Sequence, residues 1–183
     1  MTLEIVQAGD PVLRKVARPM PVEEIKSDST RRLIEQMRDT MRAAPGVGLA
    51  APQIGESIQL AVIEDRSDYL KDLASEQLEV RQRSPVDFHV IINPKLTIVG
   101  EETVDFFEGC LSVAGFGAVV RRATRVRVEC LNERAEPITI TAQGWYARIL
   151  QHEIDHLNGT LYIDRMQTRT FTTVENVERF WRG

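Results

Sequence analysis

The stretch WYARILQHEIDHLNG, Trp145 to Gly159, constrains this chain more than any other part of it. It reads as a helix closed by a C-terminal glycine, Gly159. Inside it, His152-Glu153-Ile154-Asp155-His156 sets two histidines four residues apart. At about 100° per residue such positions differ by only about 40°, so both imidazoles reach one metal ion. Glu153 stands about 60° from His156 on the same surface. Its carboxylate can face a water held by the ion without being a ligand, which is where a general base belongs. Trp145 and Ile149 project on the same face, so the histidines belong to the apolar, core-facing side. Unpaired imidazoles would be costly there. A chance pair on a surface helix is the competing explanation. Against it, His89 is the only other histidine in the chain.

Two imidazoles need a third ligand. In the zincin pattern H-E-x-x-H-x-x-G-x-x-H the last position would be histidine. Here Gly159 matches, but Tyr162 occupies the end and no histidine follows. The remaining candidates are Glu175 or Glu178 near the C-terminus, and the thiolates of Cys110 and Cys130. Cys130 alternates with Val126 and Val128 and reads as a small buried hydrophobe in a strand. Cys110 stands in EGCLS, and a thiolate with two imidazoles leaves a fourth tetrahedral position open to water. Two cysteines are too few for a disulfide framework and fit a reducing compartment. The segment GVGLAAPQIG lacks the spacing and the lysine of a phosphate-binding loop. Gln53, following Pro52 there, is a neutral donor suited to an oxyanion.

The rest of the chain sets the scaffold. Its 183 residues, 43% hydrophobic and 27% charged, fit a single domain spanning 1–183 with a real core. A net charge of −4 argues against a nucleic-acid partner. No apolar run approaches the roughly 20 residues of a membrane span. The start, MTLEIVQAGD, shows no targeting pattern, so a cytoplasmic protein is expected. The N-terminal stretch through Pro21 reads as extended chain with turns, and helical spacing predicts a helix from about Thr30 to Ala43. Strands are predicted at Leu60–Glu64, Phe88–Ile92, Lys95–Val99, Ala118–Val120, Arg125–Leu131 and Pro137–Ala142. A hairpin turn falls at Asn132–Arg134. The charged excursion from Asp65 to Asp87 reads as a solvated loop, with at most a short helix near Tyr69–Leu78. TVENVERFW reads as a short amphipathic helix. Strands first and the main helix late make the class α+β.

GVGLAAPQIG (Gly46 to Gly55), EGCLS (Glu108 to Ser112) and QHEIDHLNG (Gln151 to Gly159) resemble the three motifs of the peptide deformylases, in that order and at similar separations. The similarity runs from QAGDPVLR to LYIDRM. The charged excursion, SVAGF and RTFTTVEN look closest to the type 1A branch, which includes organellar enzymes. The resemblance implies a mixed, mainly antiparallel β structure around the motif helix. It implies a metal-dependent hydrolase that removes the formyl group from the N-terminal formylmethionine of new polypeptides and releases formate. Cys110, His152 and His156 would hold one divalent metal, ferrous iron natively, with zinc or nickel as substitutes. Glu153 would be the general base and then the acid. Gln53 and the Leu111 N–H would stabilise the oxyanion. Gly48 would let the peptide backbone approach, and Val47, Trp145 and Ile149 would wall the methionine pocket. Partners would be formylmethionyl nascent chains, with a transient ribosome contact and neither nucleic acid nor membrane bound directly. The compartment would be bacterial-type cytoplasm or, for a processed form, an organelle. Two positions depart from the common family pattern: Gly117 stands where many members have a peptide-contacting arginine, and Arg121 where proline is common. On the residues alone, an endopeptidase with a Glu ligand and a closed structural-metal module both stay open.

Overall fold

The computed structural model describes residues 2–181. The chain enters through a 3-10 turn at Pro11–Arg14, whose first amides are capped by the Asp10 carboxylate on the Val12 N–H. Helices α1 (Val22–Ile25) and α2 (Asp28–Ala43) follow. Ser27 caps α2 by accepting the Thr30 N–H at 3.2 Å, as an extended residue just outside the helix is placed to do. Next come β1 (Gly48–Ala50), a 3-10 turn at Ala51–Ile54, β2 (Leu60–Asp65), α3 (Ser67–Leu70), α4 (Ser75–Val80) and β3 (Val86–Ile98). Strands β4 (Thr103–Cys110), β5 (Val113–Ala123), β6 (Arg125–Leu131) and β7 (Pro137–Gln143) lead into α5 (Gly144–Leu157). The chain closes with β8 (Thr172–Thr173) and α6 (Val174–Phe180). No helix among the described residues is long and apolar enough to cross a membrane.

The strands form a five-stranded sheet, β1-β2-β3-β6-β7, and a three-stranded sheet, β4-β5-β8, with every pairing antiparallel. Among the described residues, only the isolated bridge Arg18–Ile58 runs parallel. Successive strand residues point to opposite faces, and the five-stranded sheet uses both. Leu60, Val62, Val90 and Ile92 pack with Met37 and Met41 of α2. Ala61, Ile63, Ile91, Val126 and Val128 pack with Ala147, Leu150, Ile154 and Leu157 of α5. Helix α5, which carries the HExxH motif, therefore lies against the sheet with most of its residues buried. This is the expected α+β class. Cys130 sits in the same core, 6% exposed, as its alternation with valines predicts.

Besides the short elements α1, β1 and β8, which were not among the expected ones, the structure departs from the sequence reading at three places. The two strands expected at 88–92 and 95–99 are one strand, β3. Its ladder to β6 shifts register between Ile92 and Lys95, so Pro94, which cannot donate to a ladder, falls where none is needed. Asn93 takes φ 52 at this irregularity and uses its side chain to bond the N–H and carbonyl of Met20, each at 2.8 Å. Strand β4 was not expected, and β5 is far longer than the Ala118–Val120 segment. Gly109, Gly115 and Gly117 hide the strand signal there, because glycine packs no side chain on a pleated surface. Finally, the Asp65–Asp87 excursion is not merely a solvated loop: it holds α3 and α4, and Asp65 is 1% exposed in an ion pair with Arg83.

Gly159 follows the motif helix with φ 71, and a Cβ there would lie 2.7 Å from the Arg14 carbonyl oxygen. Left-handed backbone costs a side-chain-bearing residue about 1–2 kcal/mol before any clash. Gly159→Ala is expected to lower Tm by roughly 2–8 °C or more, which a thermal melt followed by circular dichroism would measure. An unchanged Tm would contradict this close seat of the N-terminal turn on the helix end.

Candidate active site

Three elements deliver the site. The motif helix α5 brings His152, Glu153 and His156. The end of β4 brings Cys110, where the β4–β5 register shifts between Gly109 and Cys110. The turn after β1 brings Gln53. One ligand atom each from Cys110, His152 and His156 lie within 4.8 Å of one another, the only such group of three among the described residues. Cys110 Sγ is 3.3 Å from His156 Nε2. Glu175 and Glu178, on α6, are not part of this group, and Cys130 lies in the core cluster instead.

The chemistry of this donor set fits a divalent ion. The His152 Nδ1–H donates to Glu108 Oε2 at 3.0 Å, a bond that orients the ring and leaves Nε2 for an ion. Burial opposes a charge on His152, but the neighbouring Cys110 and Glu108 outweigh it and raise its pKa well above the ordinary value. His156 is pushed the other way: burial, helped by His152 and Arg122, holds it well below, so its imidazole stays neutral, the form that binds metal. Glu153 is 4% exposed, with Oε2 making no hydrogen bond. Burial pushes its carboxyl up to about 7, where a group can both accept and return a proton at neutral pH.

Gln53 is held for donation. Its Oε1 accepts the Ala50 N–H at 2.9 Å, which turns its amide nitrogen toward Cys110 Sγ (3.5 Å) and Ser112 Oγ (3.3 Å). Gly48 has a role in the fold of the site itself: a Cβ there would lie 2.3 Å from Glu153 Oε1. The missing side chain makes room for the carboxylate. A cavity of about 460 Å³ opens beside these groups. Val47, Gly48, Gln53, Cys110, Leu111, Trp145, Ile149, His152 and Glu153 all line it, and His156 lies buried behind. The structure thus brings together the residues to which the family resemblance gives roles, and leaves out Cys130, Glu175 and Glu178.

It also adds residues that the sequence reading passed over. Glu108 is buried and accepts two bonds from Arg122 at 2.9 Å and one from Arg148 at 2.7 Å, besides the His152 ring. Burial alone would raise its carboxyl, but the bonds from Arg122 and His152 win and hold it well below the usual range. Arg122 also reaches Asp155, which in turn accepts both forks of Arg165 at 2.7 and 2.8 Å. A signal was present: Arg148 lies one helical turn before His152, on the face argued to be apolar. A charge at a core position implies a buried partner. Of the two family departures, Gly117 has no left-handed backbone, and a Cβ there would sit 3.1 Å from the Glu108 carbonyl oxygen. Arg121 pairs across the strands with Asp105 at 2.8 and 2.9 Å.

Residues 2–171 match the family model described as polypeptide deformylase. The chain belongs to the polypeptide deformylase family. Peptide deformylase 1A of Solanum lycopersicum, a chloroplastic protein, is 51% identical over 175 residues, covering 96% of this chain and 63% of the tomato protein. This chain therefore spans under two thirds of that relative's length. Peptide deformylase 3 of Streptomyces avermitilis is 45% identical over 179 residues, covering 98% of this chain and 78% of the relative. Among solved structures, the Met-Ala-Ser-bound class I type b peptide deformylase of Acinetobacter baumannii superposes with a TM-score of 0.80. The two share 31% identity, over 91% of this chain and 99% of that one.

For this deformylase-family site, Glu108→Gln is expected to weaken zinc binding by about 10–100-fold, the usual effect of losing a residue that orients a metal-bound histidine. Competition with a chromophoric chelator reads this directly. Full zinc affinity in a folded Glu108→Gln protein would show that His152 needs no such support.

Proposed function

We propose that the chain is a metal-dependent peptide deformylase: it hydrolyses the formamide of N-formylmethionyl peptides to formate and a free N-terminus. The observation that carries this reading is one buried carboxyl group, Glu153, beside a cysteine sulfur and two imidazoles that converge within 4.8 Å. Cys110, His152 and His156 would hold one divalent ion, ferrous iron in the native enzyme and zinc or nickel in substituted forms. When bound there, the ion supplies Lewis acidity toward the formyl carbonyl and toward water. Glu153 takes the proton of the attacking water and delivers it to the departing amine. As the formyl oxygen gains charge, the Gln53 amide and the Leu111 N–H donate to it. Val47, Trp145 and Ile149 enclose the methionine side chain, and Gly48 leaves Glu153 room to face the reacting carbon. The small formyl hydrogen fits where a larger acyl group would clash.

In this reading residues 1–183 form one catalytic domain. Its substrates are nascent chains, met during a transient contact with the ribosome. The compartment is one where synthesis starts with formylmethionine, the bacterial cytoplasm or the interior of an organelle. The sequence-derived alternatives fare less well. A Glu-liganded endopeptidase needs Glu175 or Glu178 in the ligand group, and a closed structural site needs a fourth ligand.

Formate release from formyl-Met-Ala-Ser by anaerobically purified, metal-analysed protein tests the activity, and its absence would overturn the reading. Gln53→Ala is expected to lower kcat by about 10²–10³-fold, as for loss of one oxyanion donor, with metal content unchanged. Cys110→Ser is expected to strip the metal, whereas Glu175→Gln and Glu178→Gln keep it. The opposite pattern would support the endopeptidase.

A further inference from the structure

We propose that the Asp65–Asp87 excursion supports the substrate pocket from outside its lining: Arg81 and Arg83 act as positioning residues that hold the Trp145 wall, and so set the size of side chain the pocket admits. This deepens the methionine-pocket reading of Trp145 and rests on it.

Three kinds of contact brace the excursion: one closes it on the end of β2, and two fasten it to the start of the motif helix. The first is an ion pair. Asp65, at the end of β2, accepts two bonds from Arg83, at 2.8 and 2.9 Å, and the two side chains are 1% and 11% exposed. A two-pronged pair fixes the guanidinium in direction as well as place. The second contact is backbone on backbone. The Trp145 N–H, one of the amides that a helix start leaves without a partner inside the helix, donates to the Arg81 carbonyl at 2.9 Å. Gly144 takes φ 59 there, and a Cβ on it would lie 2.5 Å from Gln82 Cβ and 2.8 Å from the Arg81 oxygen. The chains meet too closely for any side chain at 144.

The third contact is with the indole itself. Arg81 and Arg83 place their guanidinium carbons 4.9 and 5.2 Å from the Trp145 ring centroid. Arg148, at 5.9 Å, and the Phe106 ring, at 6.1 Å, complete the surround. Cations near an aromatic face attract it, the more so when water is excluded. The indole N–H is buried and has no hydrogen-bond partner, so these ring contacts decide how the indole sits. Trp145 lines the cavity that also holds Glu153, His152 and Cys110. A wall fixed in this way gives the cavity a fixed width, and a loosened wall accepts bulkier side chains.

The test uses a Trp181→Phe background, in which Trp145 is the one tryptophan left. Two variants are compared. Asp65→Leu/Arg83→Met replaces the buried pair with apolar groups, so no charge is stranded. Arg81→Met leaves that pair intact, and so keeps the test alive if the first variant fails to fold. Acrylamide quenching of Trp145 is expected to increase in both. The ratio of kcat/KM for formyl-Met-Ala-Ser to that for formyl-Phe-Ala-Ser is expected to fall about tenfold, within the range that pocket fit alone supplies, mainly through KM and with metal content unchanged. Folded variants with lower Tm but parental quenching and parental selectivity would overturn the proposal, since a purely structural excursion behaves that way. A parent that releases no formate would overturn the deformylase reading instead, and the quenching comparison would still decide the clamp.

Discussion

One buried carboxylate ties this site together. Glu108 on β4 meets Arg122 on β5 and both Arg148 and His152 on α5. A charge taken out of water is tolerated only when its oxygens are fully bonded to opposite charges, and here four donated hydrogen bonds reach the two oxygens. Removing one partner from such a group typically costs about 3–5 kcal/mol. The same bonds join the three-stranded sheet to the helix. The β4–β5 hairpin that carries Cys110 is thereby locked in register with the histidines, and the imidazole of His152 is aimed by the carboxylate that holds the hairpin to the helix. Asp155, which also accepts from Arg122, extends the arrangement to Arg165 beyond the helix end.

Around that anchor, reactive groups are set by exclusion as much as by attraction. Glu153 reaches its position because Gly48 has no side chain. Gln53 faces Cys110 because its carbonyl is already taken by the Ala50 amide. Donors and bases held in this way need no reorganisation when charge develops, which is how a preorganised site lowers a barrier. The environment also divides the titrating groups. Glu153, buried without a cation in contact, is pushed up to about 7. Glu108, buried among cations, stays ionised. Two glutamates of one site are fitted for different work by their neighbours alone.

Much of this was legible in the chain. HEIDH needs only helical spacing to place two imidazoles and a carboxylate on one surface. The residue inventory narrowed the third ligand to two thiolates and two glutamates, and strand alternation set Cys130 aside. The strands β2, β6 and β7 were expected, β6 from its period-two patterning, and Arg125–Leu131 matches to the residue. Strand β4 was not legible, because FFEGC mixes aromatic, charged and glycine positions and gains its regularity only from pairing with β5. The excursion read as solvated because it is charged. In the fold, two of those charges are turned inward onto an aspartate and an indole.

The sequence by itself determined the motif helix, the family resemblance and the list of residues able to do chemistry, since each depends on spacing along a covalent chain or on residue type. Tertiary structure alone decided that Cys110 and not a glutamate of α6 joins the histidines, because Cys110 and His156 are 46 positions apart and only sheet register sets their 3.3 Å separation. It alone decided that Glu108 is a support, that Gly48 clears space for Glu153, and that Arg81 and Arg83 turn inward. Those outcomes rest on burial and through-space Coulomb forces, which depend on distances that folding creates and that no local pattern encodes.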